Sequence, residues 1–235
     1  MVMDISGSML AEDFKPNRIE AAKSVVANFI DGRTTDKIGL VVFSGESFTQ
    51  CPLTVDYNVL KGLLKDIKSG MIIDGTALGN AIANGVNRLK ASKSKSKVMI
   101  LITDGVNNAG EIDPLTAAQI AKTFGVKIYS IGIGTIGQAP YPMQTPFGIR
   151  YQMMPVEIDE ALLKNISHMT GGKYFRATNN RKLKEIYNDI DGMERTKTEI
   201  TSFRNASEKF YPWVAAGLLL LALEFALSRT YLKKL

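Results

Sequence analysis

Met1-Val2-Met3-Asp4-Ile5-Ser6-Gly7-Ser8 opens the chain, and its reading decides the fold. Val2 and Met3 read as the carboxyl end of a buried parallel strand. Gly7, between two serines, reads as the loop that follows. In an open α/β sheet, ligands sit in the crevice at the carboxyl ends of the strands. Asp4, Ser6 and Ser8, at alternate positions, present oxygen donors only. Hard cations such as Mg²⁺ take such ligands, in near-octahedral geometry and with several waters retained.

Two later stretches extend the set. Asp74-Gly75-Thr76-Ala77 offers a hydroxyl in a glycine loop just before a helical pattern. Thr103-Asp104-Gly105 follows Val98-Met99-Ile100-Leu101-Ile102, an apolar run bounded like a buried parallel strand. Asp4, Ser6, Ser8, Thr76 and Asp104 are therefore expected to converge on one ion. Taken singly, each has a simpler reading: a serine turn, a helix N-cap, an Asp-Gly turn. Their order, each at the end of a strand or the start of a helix, favours the common site.

Asp4-x-Ser6-x-Ser8, then Gly75-Thr76, then Thr103-Asp104-Gly105, resembles the metal-ion-dependent adhesion site (MIDAS) of von Willebrand factor A (VWA) domains. The resemblance covers about residues 1–195. Three further segments resemble bacterial BatA-type aerotolerance proteins: Ser6 to Arg18, Phe48 to Thr54, and Thr170 to Ala177. Those are membrane-anchored VWA proteins whose genes lie beside a MoxR-type AAA+ ATPase. The resemblance implies Mg²⁺, or Mn²⁺ or Ca²⁺, at the site. It also implies partners that present a carboxylate, among them other VWA membrane proteins and the MoxR-type system. The implied location is the bacterial inner membrane, with the VWA domain in the periplasm.

The chain has 235 residues, 45% hydrophobic and 22% charged, which suits a folded domain with additions rather than a disordered chain. The net charge of +6 is mild, and no nucleic-acid recognition motif accompanies it. Cys51 is the single cysteine, so no intramolecular disulfide can form, and a small half-buried residue is its simplest role. Only Met1 to Met3 precede the motif, whereas a strand usually has about five or six residues. The sequence is therefore expected to be short at its N-terminus, with the upstream membrane helices of BatA-type proteins missing from it.

Around the motif, strands and helices alternate. Helices are expected over residues 16–30, 57–67, 77–89, 114–124, 158–169 and 180–194. Strands are expected over 37–44, 98–102, 126–134 and 173–176. Continuously apolar strands alternating with helices imply an α/β fold with a doubly wound, mostly parallel sheet. Pro16 suits the first turn of its helix. Residues 45–50 are expected to be a loop turning away from the second strand, with Glu46 solvated. The N-terminus of the helix behind Thr76 is expected to favour an incoming carboxylate. His168, the single histidine, has no second ligand near it in sequence and reads as structural.

Residues 135–155, rich in Pro, Gly, Gln and Met, read as a hairpin insert turning at 146–148. Its Tyr141, Phe147, Tyr151 and Met153 suit either a partner or packing over the sheet edge. Arg88 to Lys97 is basic and serine-rich; it reads as a solvated loop at the far end of the sheet, with an anionic membrane surface or acidic partner as the alternative. Residues 196–210 are expected to be a juxtamembrane linker, and 211–232 a transmembrane helix. The apolar run from Pro212 to Ser228 is near the lower length limit of about 17 residues. Tyr211, Trp213 and Tyr231 sit where interfacial belts lie. Glu224 falls within the run, where a carboxylate usually marks helix contact or function.

Three functions suit these features. The first is a binding module that offers an open coordination position on the metal to a partner's Asp or Glu. The second is a chelatase-like VWA subunit assisting an ATPase in metal insertion or enzyme maturation. The third, a phosphohydrolase of the haloacid-dehalogenase type, needs a second Asp where Ser6 stands, so the chain is expected not to be an enzyme.

Overall fold

The computed structural model of the chain describes residues 1–199 except 95 and 147, together with 213, 214, 216–221 and 224. Strands β1 (Val2–Asp4), β2 (Ile38–Phe43), β3 (Ser47–Thr54), β4 (Lys97–Thr103), β5 (Val126–Ile133) and β8 (Tyr174–Ala177) form one sheet, in the order β3-β2-β1-β4-β5-β8. All pairings are parallel except that of β2 with β3. β1 lies between β2 and β4, with Met3 opposite Val42 and Ile102. Its three residues suffice to place Asp4 at the carboxyl edge.

Helices cover both faces, as continuously apolar strands require. On one face, α1 (Arg18–Asp31), α2 (Tyr57–Lys65) and α6 (Asn180–Glu199) bury Ile19, Val26, Leu60 and Ile186 against Met3, Ile5 and Val42. On the other, α3 (Leu78–Lys90), α4 (Pro114–Thr123) and α5 (Glu160–Met169) pack Leu78, Ile82, Ala118 and Ile166 on Val2, Val41 and Leu101. The small residues of α3 serve close packing. A Cβ on Gly79 would lie 1.8 Å from the Ile112 carbonyl oxygen. Cys51 is buried and free, while His168 is exposed on α5.

Several expectations change. Of the expected loop 45–50, residues 47–50 belong instead to an antiparallel edge strand that runs to Thr54. Pro52 is tolerated there because an edge strand need not donate every ladder bond. The first helix starts at Arg18, since the Asn17 side chain accepts the Glu20 amide and caps it; Pro16 stays in the preceding loop. The insert is the expected hairpin, of β6 (Gln138–Thr145) and β7 (Gly148–Pro155), pairing as a separate two-stranded sheet.

Residues 1–194 and 195–235 form two compact units. The helix α6 continues through Gly192 to Glu199, so residues 196–199 of the expected linker are helical. The rest of the expected linker lies outside the described residues. The described residues of the expected transmembrane stretch are helical and exposed. Among the described residues, however, no helix is long and apolar enough to cross a membrane. Most of 211–232 lies outside them.

Candidate metal centre

Asp4 ends β1 beside the end of β4 and is fully buried. Its Oδ1 accepts the Ser6 amide at 2.9 Å, and its Oδ2 accepts the Thr103 hydroxyl at 2.6 Å. Charge-assisted bonds of this kind fix both oxygens of a carboxylate. Thr103 thus positions Asp4, a role its place in the Thr-Asp-Gly motif does not announce.

The hydroxyls of Ser6 and Ser8 lie 3.0 Å apart, and Ser8 donates to Asp104 Oδ1 at 2.7 Å. The fold thus joins Asp4, Ser6, Ser8 and Asp104 in one hydrogen-bonded chain. Asp104 Oδ2 accepts from Arg18 Nη1 at 2.7 Å, with both side chains buried. The remaining fork of Arg18 is bidentate to Asp13, whose Oδ2 also accepts the Thr135 amide. Neither Arg18 nor Asp13 carries a sequence signal for this role beyond lying in the segment after Ser8.

Thr76 reaches the cluster through its loop. The Asn108 side chain accepts the Thr76 amide, and the Asn107 side chain accepts that of Leu78. The Ala77 amide goes to the Ser44 carbonyl. The Leu78 amide, the first of α3, is therefore engaged by protein and is not available for the expected anion-binding role. The Thr76 hydroxyl has no hydrogen-bond partner among the described residues. It faces the loop after Asp104: a Cβ on Gly105 would lie 2.9 Å from it, so only glycine permits this approach.

Asp74 and Tyr141 border the cleft. Asp74 Oδ1 accepts the Gly7 amide at 2.8 Å. A Cβ on Gly7 would meet Asp74 Oδ2 at 3.0 Å and the Tyr141 hydroxyl at 3.2 Å. The hairpin thus lays Tyr141, from its inner face, against the serine loop. It is tied there by the Glu12 amide to the Pro140 carbonyl and by the Tyr151 hydroxyl to Glu12. Met153 and Tyr151 are exposed on the outer face. Glu46 is exposed, as expected.

Burial pushes the Asp4 carboxyl up to about 7, and the charge of Asp104 adds to this. Burial also raises Asp104, with Arg18 opposing. Against burial, the Arg18 hydrogen bonds hold Asp13 below the usual carboxylate range. Asp13 and Asp104 both bond the guanidinium of Arg18, and Asp4 feels the charge of Asp104. With all three ionised, a divalent cation would bring the cluster to neutrality. The donors are oxygens throughout, and among the described residues no group of three or more His, Cys, Asp or Glu side chains offers a competing site. Two carboxylates with hydroxyls fit a hard cation better than a soft one.

Residues 1–189 match the family profile of the von Willebrand factor type A domain. A Borreliella burgdorferi protein is 30% identical over 237 residues, spanning all of this chain and 70% of that protein. The structure of an aerotolerance-related membrane protein from Bacteroides fragilis superposes with a TM-score of 0.71 at 31% identity, covering 81% of this chain and 94% of that one. BatB from Bacteroides thetaiotaomicron superposes at 0.72 and 32% identity, covering 83% and 97%. Proximal thread matrix protein 1 from mussel byssus, with a zinc-occupied MIDAS motif, shares the fold at 0.61 and 21% identity, covering 80% and 46%.

Proposed function

Because the chain belongs to the von Willebrand factor type A domain family, we propose that it is a membrane-anchored interaction module, not an enzyme, whose Asp4, Ser6, Ser8, Thr76 and Asp104 hold Mg²⁺ or a similar divalent cation. One observation carries the reading. Two buried carboxylates from neighbouring strands are joined through Ser6 and Ser8, while the Thr76 hydroxyl nearby has no partner among the described residues. A bound divalent cation supplies a Lewis-acidic position open to an outside carboxylate. The chain's own residues do the rest. Thr103 and the Ser6 amide orient Asp4, and Arg18 orients Asp104. The hydroxyls add no charge, so the cation keeps its attraction for an anion. An Asp or Glu of a protein partner completes the site.

The aerotolerance-related and BatB relatives support a role in a membrane assembly of that kind. A MoxR-type ATPase and other VWA membrane proteins are the proposed partners. The apolar run 212–228 is the proposed anchor, with the VWA unit on the periplasmic side.

The test has two steps. Calorimetric Mg²⁺ titration compares wild type with Thr76→Ala. Tagged pull-down from solubilised membranes then compares the same two proteins, each with Mg²⁺ and with chelator. Metal binding by wild type, and a partner retained only by wild type with Mg²⁺, supports the reading. Equal recovery in all four arms overturns it.

A further inference from the structure

The two ends of the sheet differ in how their exposed bases are matched. At the carboxyl end, around the candidate centre, exposed Lys15 and Arg181 stand among the exposed acids Glu46, Asp74, Glu111, Asp113 and Glu157. At the amino end lie Lys37 before β2, Arg88 and Lys90 at the end of α3, Lys93 before β4, and Lys122 at the end of α4. All five are exposed, and none is paired with a carboxylate among the described residues. The acids of that end are already engaged. Asp31 pairs with Lys61, Asp36 and Asp191 with Arg33, and Glu194 with Lys127, while Asp56 caps α2. Phe124, in the turn beside Lys122, is exposed among these bases.

The path of the chain singles out the same end. Asn180, at the start of α6, bonds the backbone of Lys15 near the candidate centre. Glu194, fourteen residues on, bonds Ser96, Lys127 and Tyr129 at the amino ends of β4 and β5. The chain therefore leaves the first unit at its basic end, and within twenty residues reaches the apolar run that starts at Pro212.

We infer that the basic amino-terminal end of the sheet is a docking face for anionic phospholipid headgroups, with Phe124 entering the interface. Unpaired lysines and arginines next to an apolar segment are the pattern that anionic leaflets attract, and the attraction fades within a Debye length. An aromatic side chain amid them suits the boundary between headgroups and acyl chains. The candidate centre, at the opposite end, would then face away from the bilayer, towards a partner. This inference rests on the membrane anchoring proposed above.

The test separates the two. The full chain is reconstituted with nanodiscs of phosphatidylcholine alone, or of phosphatidylcholine with phosphatidylglycerol. Retention on the disc at about 1 M salt, where the Debye length is about 3 Å, reports the anchor. Acetylation of Lys90, Lys93 and Lys122, read by mass spectrometry against exposed Lys15 at the other end, reports the face. Retention at both salts, with several-fold slower acetylation of the three lysines in anionic discs only, is expected. Retention with equal acetylation in both disc types overturns the docking face and leaves the anchor standing. Binding to anionic discs at low salt and release at high salt keeps the face and removes the anchor. No retention under any condition overturns both.

Discussion

Arg18 and Asp104, 86 positions apart, form a buried ion pair at 2.7 Å in the floor of the candidate centre. The guanidinium occupies one oxygen of Asp104 and leaves the other to Ser8. Removing one partner of a buried pair typically costs about 3–5 kcal/mol, because the other charge stays buried. Arg18→Met is expected to destabilise the protein by that amount in urea unfolding. A loss below about 1 kcal/mol would mean that water or rearrangement replaces Arg18.

Thr103 and Thr76 separate positioning from ligation. Thr103→Val keeps the volume but removes the 2.6 Å bond to Asp4. Loss of a group that orients a metal ligand typically costs about 10–100-fold in affinity. The same loss of Mg²⁺ affinity is expected here by calorimetry. Thr76→Ala is expected to weaken Mg²⁺ binding with little change in unfolding midpoint, since its hydroxyl has no hydrogen-bond partner among the described residues. A large drop in the Thr76→Ala midpoint would make that hydroxyl structural.

Metal-free stability should fall as pH rises. Burial, then Asp104, raises Asp4 from 3.8 to about 7. Between these values the folded state holds a proton that the unfolded state has lost, so the slope of unfolding free energy with pH is negative. This contribution is full below about pH 4 and is lost by about pH 7, an effect on the order of a few kcal/mol. Mg²⁺ displaces the proton, so its affinity should climb over the same window and then level off. Asp4→Asn should flatten both curves. Thermal melts from pH 4 to 8 with chelator and with Mg²⁺ are the check, and a chelator curve rising across this range would refute the assignment to Asp4.

Gly79→Ala inverts the usual helix rule. Alanine is normally preferred to glycine inside a helix by about 1 kcal/mol. At this position a Cβ would lie 1.8 Å from the Ile112 carbonyl oxygen. Overpacking of this kind costs about 1–3 kcal/mol. Net destabilisation is expected in denaturant unfolding, whereas Gly62→Ala in α2, where nothing lies within 4 Å, should be neutral or stabilising.

The core strands, the helices between them and the hairpin were legible because each has its own period or turn signal. Val98 to Ile102 could be little but a covered strand, and the apolar stripe of Leu60, Leu63 and Leu64 little but a helix face. β3 was not legible. Its mixed pattern around Pro52 has meaning only once β2 lies beside it, because edge strands lack the uniform burial that makes a sequence pattern clear. The start of the first helix after Asn17 rather than at Pro16 is a capping choice that local propensity alone leaves open.

The sequence by itself determined the alternation of strands and helices, and the candidate ligands Asp4, Ser6, Ser8, Thr76 and Asp104 at the ends of their elements. Periodicity and turn chemistry are local, so they survive in one dimension. Only the tertiary structure decided what surrounds those ligands. It set Arg18 and Asp13 beneath Asp104, Thr103 behind Asp4, Asn107 and Asn108 across the Thr76 loop, and Tyr141 against Gly7. These contacts join distant parts of the chain, and their partners are chosen by burial. A charged or polar group that loses water must find its counterpart wherever the packed strands and helices bring one within reach.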